Sequence, residues 1–268
     1  MAELLDHLRR PHERKAFLRE VAREAANEGD FDAFIASIGY VPHERQRQFH
    51  ATRGLARRRL PLGGRRSGKT LSLGVECAYE VCCGTDERDA GRVLLLAPVG
   101  ELSERTWRVA TGILCRQLGF RPVRKSDSPV RREVCFEWGG TLVCRSAQGE
   151  DPILGDSYTL AVLDEAARIG SRISESSVQP SLLDSGGTAI FASTPTSPGT
   201  WYHQLWKRAE DPDDQREPSP APSRHCRDEE ELLGADVGKR VSGPMGDLGR
   251  RCVQRVVGRA TRLAQRSV

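Results

Sequence analysis

Residues Gly63-Gly64-Arg65-Arg66-Ser67-Gly68-Lys69-Thr70 follow the spacing G-x-x-x-x-G-K-[ST]. Each residue type in it has a task in holding a phosphate chain. Gly63 and Gly68 let the backbone curl so that successive N–H groups face anionic oxygens. Lys69 adds a compact positive charge for the β- and γ-phosphates. The Thr70 hydroxyl suits a Mg²⁺ ion bridging those phosphates. The spacing predicts a helix from Thr70 through Ala78, whose positive end turns toward the same anion. A Gly-rich basic turn without a ligand is the plainer alternative. The setting speaks against it, because Leu60-Pro61-Leu62 can form the short strand that must precede such a loop. Pro61 makes that strand a poor one.

A second signal is Leu160-Ala161-Val162-Leu163 closing on Asp164-Glu165, the Walker B pattern. A strand buried on both faces delivers carboxylates at its C-terminal edge, where open α/β sheets bind ligands. Asp164 is the candidate to hold Mg²⁺ with its water, and Glu165 the candidate general base for water attacking the γ-phosphate of ATP. Alone, an apolar run ending in Asp-Glu is often just a strand end; downstream of a phosphate loop it gains meaning. A third signal is residues 188–195, which read as another buried strand ending in Ser193-Thr194-Pro195. Hydroxyls there can sense the γ-phosphate through Mg²⁺ or water, or simply begin a turn. Upstream, Pro42 is placed to open a helix. Gln46 or Gln48 then offers the donor and acceptor that adenine N6 and N7 require, unless it is an exposed Gln on a polar helix.

These residues need a sheet to carry them. Residues 91–97 read as a buried parallel strand ended by Pro98, followed by a helix over 101–118. Residues 133–138 and 141–147 alternate around Gly139-Gly140 and predict a hairpin. Residues 200–210 read as a helix packing Trp201, Tyr202, Leu205 and Trp206 on the sheet. Residues 1–37 predict an amphipathic helical cap carrying Phe17, Val21 and Ala25, with Pro11 separating a short helix from a longer one. Arg53 and Arg57-Arg58-Arg59 read as solvated surface, with a DNA contact as the alternative. The expected fold is an α/β, RecA-like P-loop ATPase over 38–215, a mostly parallel sheet flanked by helices. Residues 216–268 hold Pro, Gly and charge without an aromatic side chain, and predict a poorly ordered tail.

Composition sets bounds. The 268 residues suffice for a sizeable core, and the net charge of +4 permits a nucleic-acid partner without demanding one. No run of apolar residues is long enough to span a membrane, and the acidic N-terminus is no signal peptide. A cytoplasmic location is expected. The eight cysteines lack metal-ligand spacing and read as reduced, buried, small hydrophobes.

Five strings together resemble one family. They are Pro42-x-x-x-Gln46, the phosphate loop, Leu94-Leu95-Leu96-Ala97-Pro98, Val162-Leu163-Asp164-Glu165-Ala166-Ala167, and Ala192-Ser193-Thr194-Pro195-Thr196-Ser197-Pro198-Gly199. Over about residues 38–210 the chain resembles the N-terminal ATPase domain of the large terminase subunit, the motor that packages DNA into tailed-phage heads. The resemblance implies ATP and Mg²⁺ as cofactors, with Gln46 contacting adenine and Arg65 stabilising transition-state charge. It implies a coupling role for Ser193-Thr194-Pro195. Implied partners are double-stranded DNA, a portal protein and a small terminase subunit, with copies assembled as a ring in the bacterial host cytoplasm. Two departures stand out. Leu154-Gly155 occupies the place of the family's common Arg-Gly pair. Residues 216–268 show no carboxylate-bearing strands of a nuclease domain, so a truncated or frameshifted chain that cuts no DNA is expected. A DEAD-box-like helicase shares several motifs but needs a second RecA-like domain. A nucleotide-binding fragment without catalysis is opposed by the intact Lys69, Asp164 and Glu165.

Lys69→Ala is expected to abolish binding of a labelled ATP analogue, since charge-assisted phosphate contacts are the strong ones. Unchanged affinity would remove the phosphate-loop reading.

Overall fold

Short apolar runs, closed by small or polar residues, make the centre of the sheet. The computed structural model describes residues 10–84, 90–128, 131–148, 153, 156–195 and 197–210. Its strands are β1 (Arg58–Arg59), β2 (Arg92–Ala97), β3 (Arg124–Asp127), β4 (Arg131–Cys135), β5 (Thr141–Ser146), β6 (Leu160–Asp164) and β7 (Thr188–Ala192). They form one sheet in the order β1-β7-β6-β2-β5-β4-β3. The pairs from β1 through β5 are parallel, and β4 runs antiparallel to both β5 and β3. The mostly parallel, helix-flanked RecA-like architecture is the one expected.

Side chains alternate between faces along each central strand. Val93, Leu95, Val162 and Ile190 enter one core; Leu94, Leu96, Leu163 and Phe191 enter the other. The first core is closed by α4 (Lys69–Cys82) and α5 (Gly100–Thr111), through Leu73, Ala78, Trp107 and Ala110. The second is closed by Ile169, Val178 and Leu182 and by Tyr202 of α8 (Trp201–Glu210). Each fully buried Leu or Ile contributes about 1.5–3 kcal/mol. Register then sets the site: Asp164 pairs with Ala192, so β6 and β7 end side by side.

The N-terminal helices are α1 (Pro11–Asn27), α2 (Phe31–Ser37) and α3 (Glu44–Ala51). Phe17, Val21 and Ala25 are buried as expected. Pro11 starts α1, the longer helix expected after it, because its missing N–H is no loss in a first turn; the short helix expected before it lies outside the described residues. Pro42, expected to open a helix, lies just before α3 instead, and His43 is the N-cap. The strand before the phosphate loop is β1, with a single further bridge from Leu62 to Ser193. Pro61 cannot donate to a ladder, which explains why Leu60-Pro61-Leu62 is not a continuous strand. The hairpin forms, closed by Phe136 N–H on Gly140 O at 2.9 Å with Gly139 at φ 86°. The expected helix over 101–118 finishes in a π-helical stretch, Gly112–Gln117. Strand β3 carries only charged and polar residues, all exposed, so no alternation announced it; such charges guard an edge strand against pairing. Two short helices, α6 (Ser171–Ile173) and α7 (Gln179–Leu183), lead into β7.

The basic run departs most from expectation. Arg59 is buried, and its Nη2 lies 2.7 Å from Glu76 Oε2. Glu76, on α4, is wholly buried and also pairs with Arg53, while His50 Nδ1 lies 2.6 Å from its Oε1. Arg53 stacks over Tyr79 at 4.1 Å and over Phe31 at 4.7 Å. Burial alone would raise the Glu76 pKa. The Arg53 and Arg59 guanidiniums and the His50 hydrogen bond outweigh it and hold the carboxyl far below the usual range. Among the described residues the cysteines are free; burial pushes the Cys82 thiol up to about 12. The expected tail (216–268) and Leu154-Gly155 lie outside the described residues.

Glu76→Gln leaves two guanidiniums around a buried amide, and is expected to cost about 3–5 kcal/mol at neutral pH in denaturant unfolding. A depressed folded-state pKa contributes stability above the unfolded value of 4.5 and loses it as pH falls toward the folded one. The gap between wild type and variant should therefore narrow below about pH 4. A constant gap would contradict the cluster's role.

Candidate functional site

The phosphate loop joins the end of the Leu62 bridge to α4. Arg66 and Gly68 adopt left-handed backbone, φ 66° and 80°. Gly68 is the N-cap of α4, and no side chain caps that end. The first-turn N–H groups are therefore open to an anion. A Cβ at Gly63 would lie 2.5 Å from Ser67 Oγ and 3.1 Å from its Cβ, so any larger residue there would push the Ser67 side chain aside. Ser67 Oγ itself is buried without a hydrogen-bond partner. An unsatisfied hydroxyl in a cradle of backbone N–H groups fits a phosphate oxygen. Lys69 Nζ donates to Gly63 O, and to Gly64 O at 3.2 Å, so the ammonium lies across the loop. Arg65 and Arg66 are exposed, and Thr70 is half-buried in the first turn of α4.

The carbonyl of Gly68 is fixed from three sides. Ser72 N–H bonds it at 3.1 Å, Ser72 Oγ at 3.3 Å and Gln46 Nε2 at 3.3 Å. The peptide unit is planar and trans, so pinning that oxygen points the Lys69 N–H the opposite way, toward the mouth of the helix. Gln46 is buried; its Oε1 accepts from His43 N–H at 3.0 Å, and His43 Nε2 lies 3.2 Å from Ser67 O. Gln48 instead donates to Glu44 on the exposed side of its own helix, 3.1 Å away. The sequence left Gln46 and Gln48 open; the structure brings only Gln46 to the loop. The same network runs back to Glu76. His50 Nε2 is 3.2 Å from Tyr40 Oη, which is 3.3 Å from Ser72 Oγ.

Asp164 ends β6 almost fully buried, and Thr106 Oγ1 on α5 donates to its Oδ2 at 2.7 Å. Burial raises the Asp164 pKa. The Thr106 hydrogen bond offsets part of this, the Glu165 charge adds to it, and the Lys69 ammonium opposes it. Glu165 has φ 54°, a left-handed conformation that costs a non-glycine residue of order 1–3 kcal/mol and clusters at functional sites. Thr194 Oγ1 donates to Glu165 Oε1 over a long 3.4 Å. Ser193, buried, accepts from Gly63 N–H at its carbonyl and from Ala167 N–H at its hydroxyl, both at 3.4 Å. Pro195 is exposed. The ends of β6 and β7 and the phosphate loop thus meet at one junction.

The candidate donors for a divalent ion are the Thr70 hydroxyl and the Asp164 carboxylate. Among the described residues no group of three or more His, Cys, Asp or Glu could hold a metal. Mg²⁺ held chiefly by phosphates needs only one or two protein ligands, so this donor set fits it. His43, Tyr40, Ser72 and Thr106 escaped the sequence reading. Ser72 had a signal, since a serine hydroxyl in a helix often bonds the carbonyl four residues back. Thr106 had none.

Residues 60–228, more than half of the chain, match the family described as terminase large subunit, T4likevirus-type, N-terminal. The terminase large subunit of Thermus virus P23-45 is 28% identical over 194 residues, 65% of this chain. The match spans only 38% of that relative's length. Among solved structures, the large terminase ATPase domain of Thermus phage P74-26 superposes with a TM-score of 0.53 at 25% identity. It covers 65% of this chain and 72% of that one. The large terminase of the thermophilic bacteriophage D6E gives 0.51 at 16% identity, over 64% of this chain and 44% of that one, a likeness of fold.

The two glutamines give a contrast to measure. Gln46→Leu removes two partly buried hydrogen bonds and is expected to lower unfolding free energy by about 1–3 kcal/mol in urea. Gln48→Leu, on the exposed face, should stay within about 0.5 kcal/mol. Equal effects would contradict the placement of Gln46.

Proposed function

This chain belongs to the terminase large subunit family, T4-like type, N-terminal part, and from that premise we propose that it is an ATP-hydrolysing motor domain for packaging double-stranded DNA. The observation that carries the reading is the junction just described. A phosphate-binding helix end, a buried aspartate and a glutamate bonded by Thr194 come together where β6 and β7 finish.

The phosphates would lie on the N-terminus of α4, with Lys69 paired to their charge. Thr70 and Asp164 would hold Mg²⁺, which when bound neutralises charge on the phosphate oxygens. Glu165 accepts the proton of the attacking water, and its left-handed backbone fixes where that carboxylate starts. Exposed Arg65 is the loop's candidate to meet charge developing on the γ-phosphoryl group. Gln46 keeps one N–H and one lone pair beyond its two bonds, the pair an adenine edge requires. Thr194 touches the catalytic carboxylate while its neighbour Ser193 touches the phosphate loop, which suits Ser193-Thr194-Pro195 to sense hydrolysis and pass on movement. Portal protein, small terminase subunit, a ring of copies and the host cytoplasm follow from the family and belong to the proposal in that sense. Among the described residues no helix is long and apolar enough to cross a membrane. The proposal covers ATP hydrolysis and assigns these residues no part in cutting DNA.

Phosphate release from ATP and Mg²⁺, with and without double-stranded DNA, tests it. Glu165→Gln is expected to keep ATP bound while turnover falls by about 10²-fold or more, because an amide cannot take the proton. Turnover at the wild-type rate would put the base elsewhere.

A further inference from the structure

We propose that Thr106 is a positioning residue for the metal-holding carboxylate of Asp164. The inference rests on the ATPase reading above and adds a residue to that site which no motif contains.

Thr106 lies on α5, the helix after β2, and is completely buried. A hydroxyl in such a place needs a partner. Many helical threonines bond a carbonyl on their own helix, as Thr111 does with Trp107 O at 2.8 Å. The hydroxyl of Thr106 crosses instead to another element and donates to Asp164 Oδ2 at 2.7 Å, 58 residues away in sequence. That length is typical of a strong bond to a carboxylate. A terminal carboxylate torsion is otherwise broad and roughly two-fold, so Asp164 would sample several orientations. A donor reaching across from α5 selects one of them.

The packing around Thr106 makes its direction firm. Trp107 and Ala110, one and four residues on, are buried in the core between α5 and the sheet. Gly74 of α4 has no room for a Cβ, which would meet Val109 Cγ1 at 2.3 Å, so α4 and α5 lie close together. α4 carries Lys69 and Thr70 at its start. Through Thr106, the helix packed against the phosphate-binding helix also sets the angle of the Asp164 carboxylate. The two candidate Mg²⁺ ligands, Thr70 and Asp164, are thereby referenced to the same pair of helices. Outer hydrogen-bond partners of this kind commonly tune metal affinity by about 10–100-fold.

The test compares wild type, Thr106→Val and Thr106→Ser in the full chain. Affinity for a non-hydrolysable ATP analogue is measured by calorimetry with EDTA and across a Mg²⁺ titration. Melting temperature is recorded for each protein. Thr106→Val keeps the shape and loses the donor. It is expected to bind the analogue in EDTA within about twofold of wild type, and to need roughly tenfold more Mg²⁺ for half of the metal-dependent gain. Thr106→Ser, which keeps the donor, should restore the wild-type Mg²⁺ requirement. A Thr106→Val protein with the wild-type Mg²⁺ requirement overturns the proposal. So does a folded Thr106→Ser protein with the valine phenotype, since the methyl and not the hydroxyl would then matter. Wild type that binds no analogue overturns the ATPase reading itself, and this inference with it.

Discussion

One buried carboxylate orders the phosphate-loop end of this molecule. Glu76 sits in the middle of α4 among Leu73, Val75, Cys77 and Ala78, all buried. An unpaired charge there would be prohibitive. His50 from α3, Arg53 from the following turn and Arg59 from β1 all converge on it. Removing any partner leaves charge in a dry place, so three chain segments are obliged to stay against the helix that starts at Lys69. The aromatic faces of Tyr79, Phe31 and Phe49 cover the guanidiniums and complete the cluster.

The obligation reaches the phosphate loop by contact. Holding α3 in place holds Gln46, which grips the Gly68 carbonyl, and His43, which lies against the Ser67 carbonyl. Holding β1 in place holds the short connection that brings Gly63 to Ser193. On the far side, the register of β6 against β7 sets Asp164 beside Ala192; just beyond, Thr194 donates to Glu165. The loop is therefore braced by the N-terminal helices on one side and by the strand ends on the other. Under the proposed function, such pre-arrangement serves the site, because electrostatic catalysis works through dipoles already in position.

The candidate site residues were legible because phosphate and metal chemistry tolerate few types at few spacings. Gly63, Gly68, Lys69, Asp164 and Glu165 could be read directly, and the apolar runs around them gave the parallel sheet. Arg59 was misread because a run of three arginines looks solvated until its partner is known, and the partner lies 17 residues on in another element. Glu76, a lone acid in an apolar stretch, was the clue that went unused. Gln46 and Gln48 could not be separated by type; only the turn of α3 decides which faces the loop. Thr106 was hidden most deeply, since its reach to Asp164 depends on how α5 crosses the sheet. Strand β3 lacked any apolar alternation and exists because β4 offered it an edge.

Amide hydrogen exchange on the nucleotide-free chain, comparing wild type with Glu76→Gln, tests most directly whether α3, β1 and α4 form one unit. In wild type the amides of α3 and α4 should exchange at a common slow rate, as parts of a single cooperative unit do. In Glu76→Gln, exchange in α3 should quicken by about tenfold or more while β2 and β6 keep their protection. Wild-type α3 exchanging rapidly and independently of α4, or an α3 rate untouched by the substitution, would contradict the account.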